Sequence, residues 1–143
     1  MNVPILESTV EIDDSLIEEP AADLRTQLRE YERGDRQTFD LEVSFPDGPT
    51  GDVLRAIAAI PYGDTRTYGR LAADLDTSPI FVGNACGRNP VPVIVPCHRV
   101  VGSTGELRGY SAADGVATKR RLLDLESRVN ETHLEQTRLP TDR

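Results

Sequence analysis

The amino-acid sequence predicts an α+β fold, in which a short mixed region (residues 1–48) precedes a largely helical domain (49–128) and a polar tail (129–143). The first observation is the alternation of apolar and polar residues in F-D-L-E-V-S-F (39–45), which is typical of a strand. The second is P-D-G-P-T-G (46–51), a turn-forming cluster that marks a boundary. The third is a change to helical spacing of apolar residues beyond that boundary.

Length and composition restrict the class of protein. The 143 residues are enough to bury a core without disulfides, and no apolar run approaches the length of a membrane span or a signal peptide. Two cysteines and two histidines show none of the paired spacings of a classical zinc site. We therefore expect a cytoplasmic protein with reduced cysteines and no metal or cofactor.

The charge is distributed unevenly along the chain. Residues 1–53 contain 14 acidic residues and 4 arginines, whereas residues 54–128 contain 7 acidic and 10 basic residues. The basic half leaves nucleic acid open as a partner despite a net charge of −8. Lys119 is the single lysine beside 15 arginines, a composition that resembles proteins of salt-loving organisms; codon bias of a GC-rich genome is the alternative explanation.

The N-terminal region contains two predicted segments before the strand. Residues 1–19 are acidic with scattered aliphatic residues, and they could form a short strand or a loosely attached arm. Pro20 suits the first turn of a helix and Gly34 its end. The predicted buried face of this helix consists of Leu24, Leu28 and Tyr31.

The domain after the boundary begins with three predicted helices. I-P-Y-G (60–63) ends the first, Thr67 can cap a short second one, and Pro79 takes the first position of a third that ends at Gly87. The order of helix, break, short helix, turn and helix matches a helix-turn-helix arrangement. The apolar positions of these helices are Val53, Leu54, Ile57 and Ile60, then Leu71, Ala72 and Leu75, then Phe81, Val82 and Ala85.

Three further segments complete the prediction. Val91 to Val95 is predicted as a short apolar strand, and residues 102–115 as a loop. Val116 to Leu125 is predicted as a helix, and residues 127–143 are polar enough to be frayed or disordered. The expected buried residues of the last helix are Leu122 and Leu123.

The segment V-I-V-P-C-H-R-V (93–100) places a thiol next to an imidazole. A thiolate is a nucleophile, and the imidazole of His98 could take the proton of Cys97. Adjacent residues of an extended chain point apart, so the pair needs a turn at Pro96 or a bridging water. Glu126 is a candidate acceptor behind the imidazole. Alternatively, Cys97 is a small buried apolar residue and His98 a satisfied core residue.

Longer motifs around this pair resemble one family. They are I-P-Y-G-D-T-R-T-Y-G-R-L-A (60–72), V-G-N-A-C-G-R-N-P-V-P-V-I-V-P-C-H-R-V-V-G (82–102), G-Y-S (109–111) and K-R-R-L-L-D-L-E (119–126). The chain resembles the O6-alkylguanine-DNA alkyltransferases over about half its length. The resemblance implies a winged helix-turn-helix-like domain that binds DNA containing O6-alkylguanine, extrudes the damaged base and transfers its alkyl group irreversibly to cysteine.

The resemblance also implies roles for single residues. Cys97 would be the nucleophile, activated by His98 through a water and by Glu126. Asn89 would hold the active-site turn, and Tyr68 would donate a hydrogen bond to the guanine ring. Tyr110, Ser111 and Val100 would contact the substrate base. The expected DNA-binding residues are Thr67, Ile80, Phe81, Gly83, Asn84 and Arg88. Arg99 is expected to bridge strand and helix, Cys86 to pack without chemistry, and the protein to act as a monomer.

One departure from the family concerns the recognition helix. Ile80 stands where the family has an arginine that fills the space of the extruded base, and residues 71–87 contain no arginine or lysine. Either Ile80 or Phe81 acts as an apolar wedge, as in other minor-groove proteins, or base extrusion is impaired. A non-catalytic protein that binds alkylated DNA and flags it for repair is the alternative function; an unrelated thiol chemistry on the same fold is a third.

Overall fold

The computed structural model describes residues 1–107 and 115–138, except the side chains of residues 131–138. Its described part contains five α-helices and two small two-stranded sheets. The strands are β1 (Asn2–Ile5), β2 (Ser8–Glu11), β3 (Arg66–Thr67) and β4 (Val100–Val101). The helices are α1 (Ala21–Glu32), α2 (Pro49–Ala58), α3 (Tyr68–Asp74), α4 (Pro79–Gly87) and α5 (Val116–Arg138).

The first residues form an antiparallel hairpin of β1 and β2. Leu6 and Glu7 make its two-residue turn with φ of 46° and 67°, the positive values that such a tight turn requires. One face is buried in the core, and the backbone N–H of Asp13 donates to the carbonyl of Pro90 at 2.8 Å. The alternative of a loosely attached arm is therefore wrong. The buried residues are Val3, Ile5, Val10 and Ile12.

The predicted strand over residues 39–45 is wrong as a strand, although its alternation is correct. Its apolar side chains are half-buried against the core and its polar side chains are exposed. Its pairing is limited to one antiparallel bridge, between Ile17 and Val43, flanked by hydrogen bonds from Glu18 N–H to Glu42 and from Ser44 N–H to Leu16. The 3₁₀ turn Asp14–Leu16 ends immediately before Ile17. The extended segment around Ile17 is therefore too short to form a ladder with residues 39–45.

Helices α2, α3 and α4 confirm the predicted order. Pro49 occupies the first turn of α2, and the hydroxyls of Thr67 and Ser78 cap α3 and α4 by accepting from Arg70 N–H and Phe81 N–H at 3.0 and 3.1 Å. Helix α4 packs against both α3 and α2. This packing buries one side of α4 and leaves the opposite side at the surface.

The segment from Val91 to Val95 is a compact turn, and the strand prediction is wrong here too. Val93 has a positive φ of 74°, and the N–H of Val95 donates to the carbonyl of Val91 at 3.0 Å. Pro90, Pro92 and Pro96 lack the N–H groups that a strand would need. Apolar content alone cannot separate a buried turn from a buried strand.

The last helix is longer than the sequence predicted. Helix α5 continues to Arg138, so the expectation of a frayed chain from residue 127 is wrong as far as that point. No glycine or proline follows Val116 before Pro140, and a helix with a polar face can extend along the surface. Leu122 is buried as expected, whereas Leu123 is only half-buried. Among the described residues, no helix is both long and apolar enough to cross a membrane.

Candidate active site

Cys97 begins a 3₁₀ turn that spans Cys97–Arg99. The turn follows Pro96, and the N–H of Cys97 donates to the carbonyl of Val95 at 2.8 Å. Cys97 and His98 therefore do not lie in an extended chain, in which adjacent side chains would point apart. Both side chains are buried in the core of the protein, with 1% of Cys97 and none of His98 exposed.

Asn89 ties this turn together with both ends of its side-chain amide. The amide nitrogen donates to the carbonyl of Val95 at 2.8 Å and to the sulfur of Cys97 at 3.2 Å. The amide oxygen accepts from the N–H of Val91 at 3.0 Å. One side chain thus satisfies backbone groups that the surrounding prolines leave unpaired, and it fixes the position of the thiol.

His98 is paired on one ring nitrogen. Its Nε2 lies 2.6 Å from Oε2 of Glu126, whereas Nδ1 is buried with no hydrogen-bond partner in the part of the chain described. Because the carboxylate is an acceptor, Nε2 carries the proton and Nδ1 carries the lone pair. The ring is therefore oriented as a proton acceptor on its unpaired side.

The charges of this pair follow from burial and hydrogen bonding. Burial lowers the pKa of His98 below its usual value, against the opposing pull of Glu126. Burial alone would raise the pKa of Glu126, but hydrogen bonds and charge from His98 and Arg99 outweigh it and lower the pKa to about 2. At neutral pH the site holds a neutral imidazole against an ionised carboxylate.

Glu126 is held by three further groups from separate parts of the fold. Arg99 donates to both carboxylate oxygens at 2.9 Å, and the N–H of Gly63 donates to Oε1 at 3.1 Å. The hydroxyl of Tyr31, on α1, donates to Oε2 at 2.6 Å. Arg99 also donates to the carbonyl of Ile60 at 2.7 Å, so it joins α5 to the segment after α2 rather than bridging a strand and a helix as expected.

The resting thiol is protonated. A hydrogen bond shared with the thiol of Cys86, followed by burial, raises the pKa of Cys97 well above its ordinary value; the amide of Asn89 and the charge of Lys119 act in the opposite direction. Cys86 is itself buried on α4, as expected of a packing residue. A nucleophile in this position needs a base to take its proton.

Tyr68 and Lys119 form a second buried polar pair near the thiol. Tyr68 is the first residue of α3, and its hydroxyl oxygen accepts from Nζ of Lys119 at 3.2 Å. The ammonium group lies 5.5 Å from the centroid of the same ring. Lys119 is only 1% exposed, which makes it one of the few cations buried in the described chain.

Five of the six predicted DNA-binding residues lie on α4 or at its end. Four of them lie along the outer side of α4 and its end at helical spacing: Ile80, Gly83, Asn84 and Arg88. Ile80 is 77% exposed, whereas Phe81 is half-buried against the core. A Cβ atom added at Gly83 would meet no atom within 4 Å, so internal packing does not require a glycine there.

The remaining predicted residues are less informative. Val100 is fully buried in β4, where it pairs with Arg66 of β3. Thr67 uses its hydroxyl to cap α3. Tyr110 and Ser111 lie outside the described residues. Within the described residues, no cluster of three or more histidine, cysteine or acidic side chains could hold a metal ion.

Sequence reasoning missed two residues of the site, Tyr31 and Lys119. Tyr31 was assigned to the apolar face of α1, because its spacing with Leu24 and Leu28 says nothing about where the hydroxyl lies. Lys119 did carry a signal: it is the single lysine in a chain with 15 arginines. An ammonium group buried beside a phenol has different chemistry from a guanidinium group, so this exception indicated a special environment.

Comparison with known proteins connects this site to a family. The family model described as "6-O-methylguanine DNA methyltransferase, DNA binding domain" matches residues 50–128. A methylated-DNA–protein-cysteine methyltransferase from Methanosarcina acetivorans is 41% identical over 123 residues, covering 82% of this chain and 77% of the relative. The chain belongs to the methylated-DNA–protein-cysteine methyltransferase family. The resemblance inferred from the motifs is thereby confirmed.

Other members of this family support the assignment over most of the chain. A methylated-DNA–protein-cysteine methyltransferase from Archaeoglobus fulgidus is 45% identical and covers 70% of this chain and 71% of the relative. The Mycobacterium tuberculosis OGT structure in complex with DNA superposes with a TM-score of 0.71 at 32% identity, over 85% of this chain and 87% of that one. This solved fold confirms the α+β prediction. The chain spans less than two thirds of some relatives, such as 64% of the one from Methanosarcina barkeri.

Proposed function

We propose that this protein repairs DNA by transferring the alkyl group of O6-alkylguanine to its own Cys97, once per molecule. The observation that carries the proposal is the turn Cys97–Arg99. Cys97, whose thiol is protonated, and His98, whose imidazole is neutral, are neighbours on this turn. Nε2 of the imidazole is bonded to Glu126, and Nδ1 has no hydrogen-bond partner among the described residues. Because burial disfavours the thiolate, the arrangement supplies the base that the nucleophile needs.

The reaction balances with the groups present. The proton of Cys97 passes to Nδ1 of His98 through a water, and the imidazolium that forms is stabilised by Glu126. The sulfur attacks the alkyl carbon, the S–C bond forms, and the C–O6 bond breaks with its electron pair on the purine. The resulting thioether does not give up its alkyl group, because that would require the neutral thioether to expel a thiolate, so each molecule acts once.

The departing guanine carries the electron pair of the broken C–O6 bond, and we assign to Tyr68 the hydrogen bond that stabilises it. Lys119 donates to the Tyr68 oxygen at 3.2 Å, and this polarises the phenolic O–H toward donation. Tyr68 therefore acts on the leaving group, while His98 acts on the nucleophile. Tyr110, Ser111 and Val100 complete the substrate pocket in this proposal.

Helix α4 is the element that meets DNA in this proposal. Its outer side offers a small residue, Gly83, for close approach to the sugar-phosphate backbone, with Asn84 and Arg88 available to phosphates. Thr67 lies at the start of the neighbouring helix α3. An enzyme that acts on O6 of guanine must take the base out of the stack, and this leaves a gap in the duplex.

Ile80 is the side chain that we assign to that gap. It projects from the second position of α4 and is 77% exposed; among the described residues, Val116 is the other exposed large apolar residue. Phe81 is half-buried against the core and is anchored there instead. An apolar wedge is insensitive to salt, whereas contacts to phosphates weaken steeply as salt increases. A wedge therefore suits a protein with this acidic, lysine-poor composition.

The cellular setting follows from the chemistry. A free nucleophilic thiol survives best in a reducing compartment, which supports a cytoplasmic location. We extend the proposal to a monomer, because the hydrogen bonds around Glu126 connect α1, the turn Cys97–Arg99 and α5 within one chain.

Intact-mass measurement after incubation with a duplex oligonucleotide that carries O6-methylguanine tests the function. We expect a gain of one methyl group in the wild type and in Cys86→Ala, and no gain in Cys97→Ala. Binding of the alkylated duplex without any mass change would instead support the non-catalytic protein that flags damage. If the protein neither binds the alkylated duplex nor gains mass, the remaining explanation is an unrelated thiol chemistry on this fold.

A further inference from the structure

The N-terminal region contributes a side chain to the polar network of the active site. Tyr31, on α1, is fully buried, and its hydroxyl donates to Oε2 of Glu126 at 2.6 Å. This is the same oxygen that contacts Nε2 of His98, also at 2.6 Å. The two donors come from residues 67 positions apart in sequence, and they meet on one carboxylate oxygen.

The ring of Tyr31 is fixed from two sides, so this contact is defined by the fold. Phe39 packs against it with ring centroids 5.5 Å apart, and Tyr62 packs edge-on at 6.0 Å. Burial and then the charge of Glu126 raise the pKa of Tyr31 well above its ordinary value. The phenol therefore stays protonated over the working pH range and always donates to the carboxylate.

We propose that Tyr31 is a positioning residue of the alkyl transfer, whose hydroxyl holds the Glu126 carboxylate in place and limits how strongly it binds the imidazole of His98. The inference rests on the proposed function of Cys97. It assigns to the N-terminal region (residues 1–48) a part in the reaction, because α1 has to dock for the network around Glu126 to be complete.

Through the carboxylate that both residues contact, Tyr31 affects how readily His98 is protonated. A carboxylate oxygen that accepts two short hydrogen bonds is less basic toward each donor than one that accepts a single bond. Without the phenol, Glu126 would act more fully on the imidazole and favour its protonated form. The other titratable groups that face this pair are Arg99 on the same turn, Tyr62 on the loop after α2 and Lys119 on α5. The substitution of Tyr31 leaves all three in place.

The pH dependence of methyl transfer tests this role. We compare Tyr31→Phe with the wild type and with Tyr62→Phe, a matched control whose buried hydroxyl has no hydrogen-bond partner in the described chain. Single-turnover rates are measured on a duplex with O6-methylguanine and on free O6-benzylguanine, between about pH 5.5 and 8.5. We expect the acid limb of Tyr31→Phe to move to higher pH by about one unit on both substrates. At the wild-type midpoint the rate then falls about fivefold, and the loss approaches about tenfold at lower pH, while the rate at high pH is retained and Tyr62→Phe follows the wild type.

Several outcomes would overturn the inference. A Tyr31→Phe profile that superposes on the wild type, or that falls by one factor at every pH, would reduce Tyr31 to a packing residue. Phe39→Leu is the control for lost packing, since it loosens the ring without removing the hydroxyl, and its acid limb should move less than that of Tyr31→Phe. An equal shift in the two variants would assign the effect to lost packing and overturn the role of the hydroxyl. A wild type that transfers nothing from either substrate would overturn the proposed function itself and this inference with it, whereas an active wild type with unshifted variants overturns only the inference.

Discussion

The network around Glu126 and the outer side of α4 differ in what holds their residues in place. Around Glu126, charged and polar side chains are buried, and four residues from three parts of the chain donate to one carboxylate. Along α4, Ile80 is exposed, Gly83 has open space around it, and Pro79–Gly87 contains no charged residue. Internal contacts determine the first region, whereas nothing inside the described chain accounts for the residues of the second.

Because the two regions are held in place differently, substitutions in them should have different effects. Substitutions in the network around Glu126 should cost both stability and activity, because each group there is a partner of several others. Substitutions on the outer side of α4 should cost activity on duplex DNA and leave stability unchanged or improved. The two regions can therefore be separated by measuring unfolding and alkyl transfer on the same variants.

Glu126→Gln should have the largest effect. It leaves the guanidinium of Arg99 buried without its counter-charge, a change that typically costs about 3–5 kcal/mol of folding free energy. It also removes the charge that stabilises the imidazolium, so alkyl transfer should fall by about a hundredfold. Chemical unfolding and single-turnover rates measure the two losses. Asp124→Asn, on the exposed side of α5, is the matched control, and an equal loss in that variant would contradict the assignment.

Acid should destabilise the protein through the same network. The pKa of Glu126 is about 2 in the folded state against an ordinary value of 4.5, so its contribution is complete above 4.5 and is lost as the pH falls toward 2. The pKa of His98 is lowered from 6.5 by burial, so its contribution is present above 6.5 and declines below it. Unfolding free energy measured from about pH 7.5 downward should decrease in two stages. A constant value down to pH 4.5 would contradict the burial of a neutral imidazole.

Ile80→Ala should lose activity on duplex DNA alone. Burial of an isoleucine side chain contributes roughly 1.5–3 kcal/mol, so removal of a wedge from the stack should slow transfer by about tenfold or more. Transfer from the free modified base and the free energy of unfolding should remain at wild-type values. Phe81→Ala, by contrast, should lower stability and affect both substrates alike. The wedge would be excluded by an Ile80→Ala variant that loses equally on both substrates, or on neither.

Gly83→Ala should have the smallest effect, and its effects on stability and on alkyl transfer should be opposite in sign. Alanine is favoured over glycine in a helix interior, and the added Cβ meets nothing within 4 Å, so stability should rise by about 0.5–1 kcal/mol. Transfer from duplex DNA should nevertheless slow a few-fold if the DNA backbone approaches that point. Gly69→Ala, on α3 with equally open surroundings, should gain stability without that loss. Equal behaviour of the two variants would place DNA elsewhere.

Local chemistry made much of the site predictable. Cys97, His98 and Glu126 were identified from the residue types that nucleophile, base and orienting acid require, and the family motifs added Asn89 and Tyr68. Capping residues and prolines located helices α2 to α4, because such signals act within one or two turns. The strand predictions from apolar runs were wrong. Residues 39–45 have no partner strand in the described part of the chain, and Val91 to Val95 forms a turn because three prolines interrupt its hydrogen bonding.

The sequence by itself determined which residues could do chemistry and which side of each helix would be apolar, since both depend on side-chain type and short-range spacing. Only the tertiary structure decided which of them meet. Tyr31 was an apolar-face residue until α1 packed beside α5 and brought its hydroxyl to Glu126. The protonation states were decided in the same way, because the pKa values of Cys97 and His98 depend on the water that the surrounding core excludes and on partners distant in sequence.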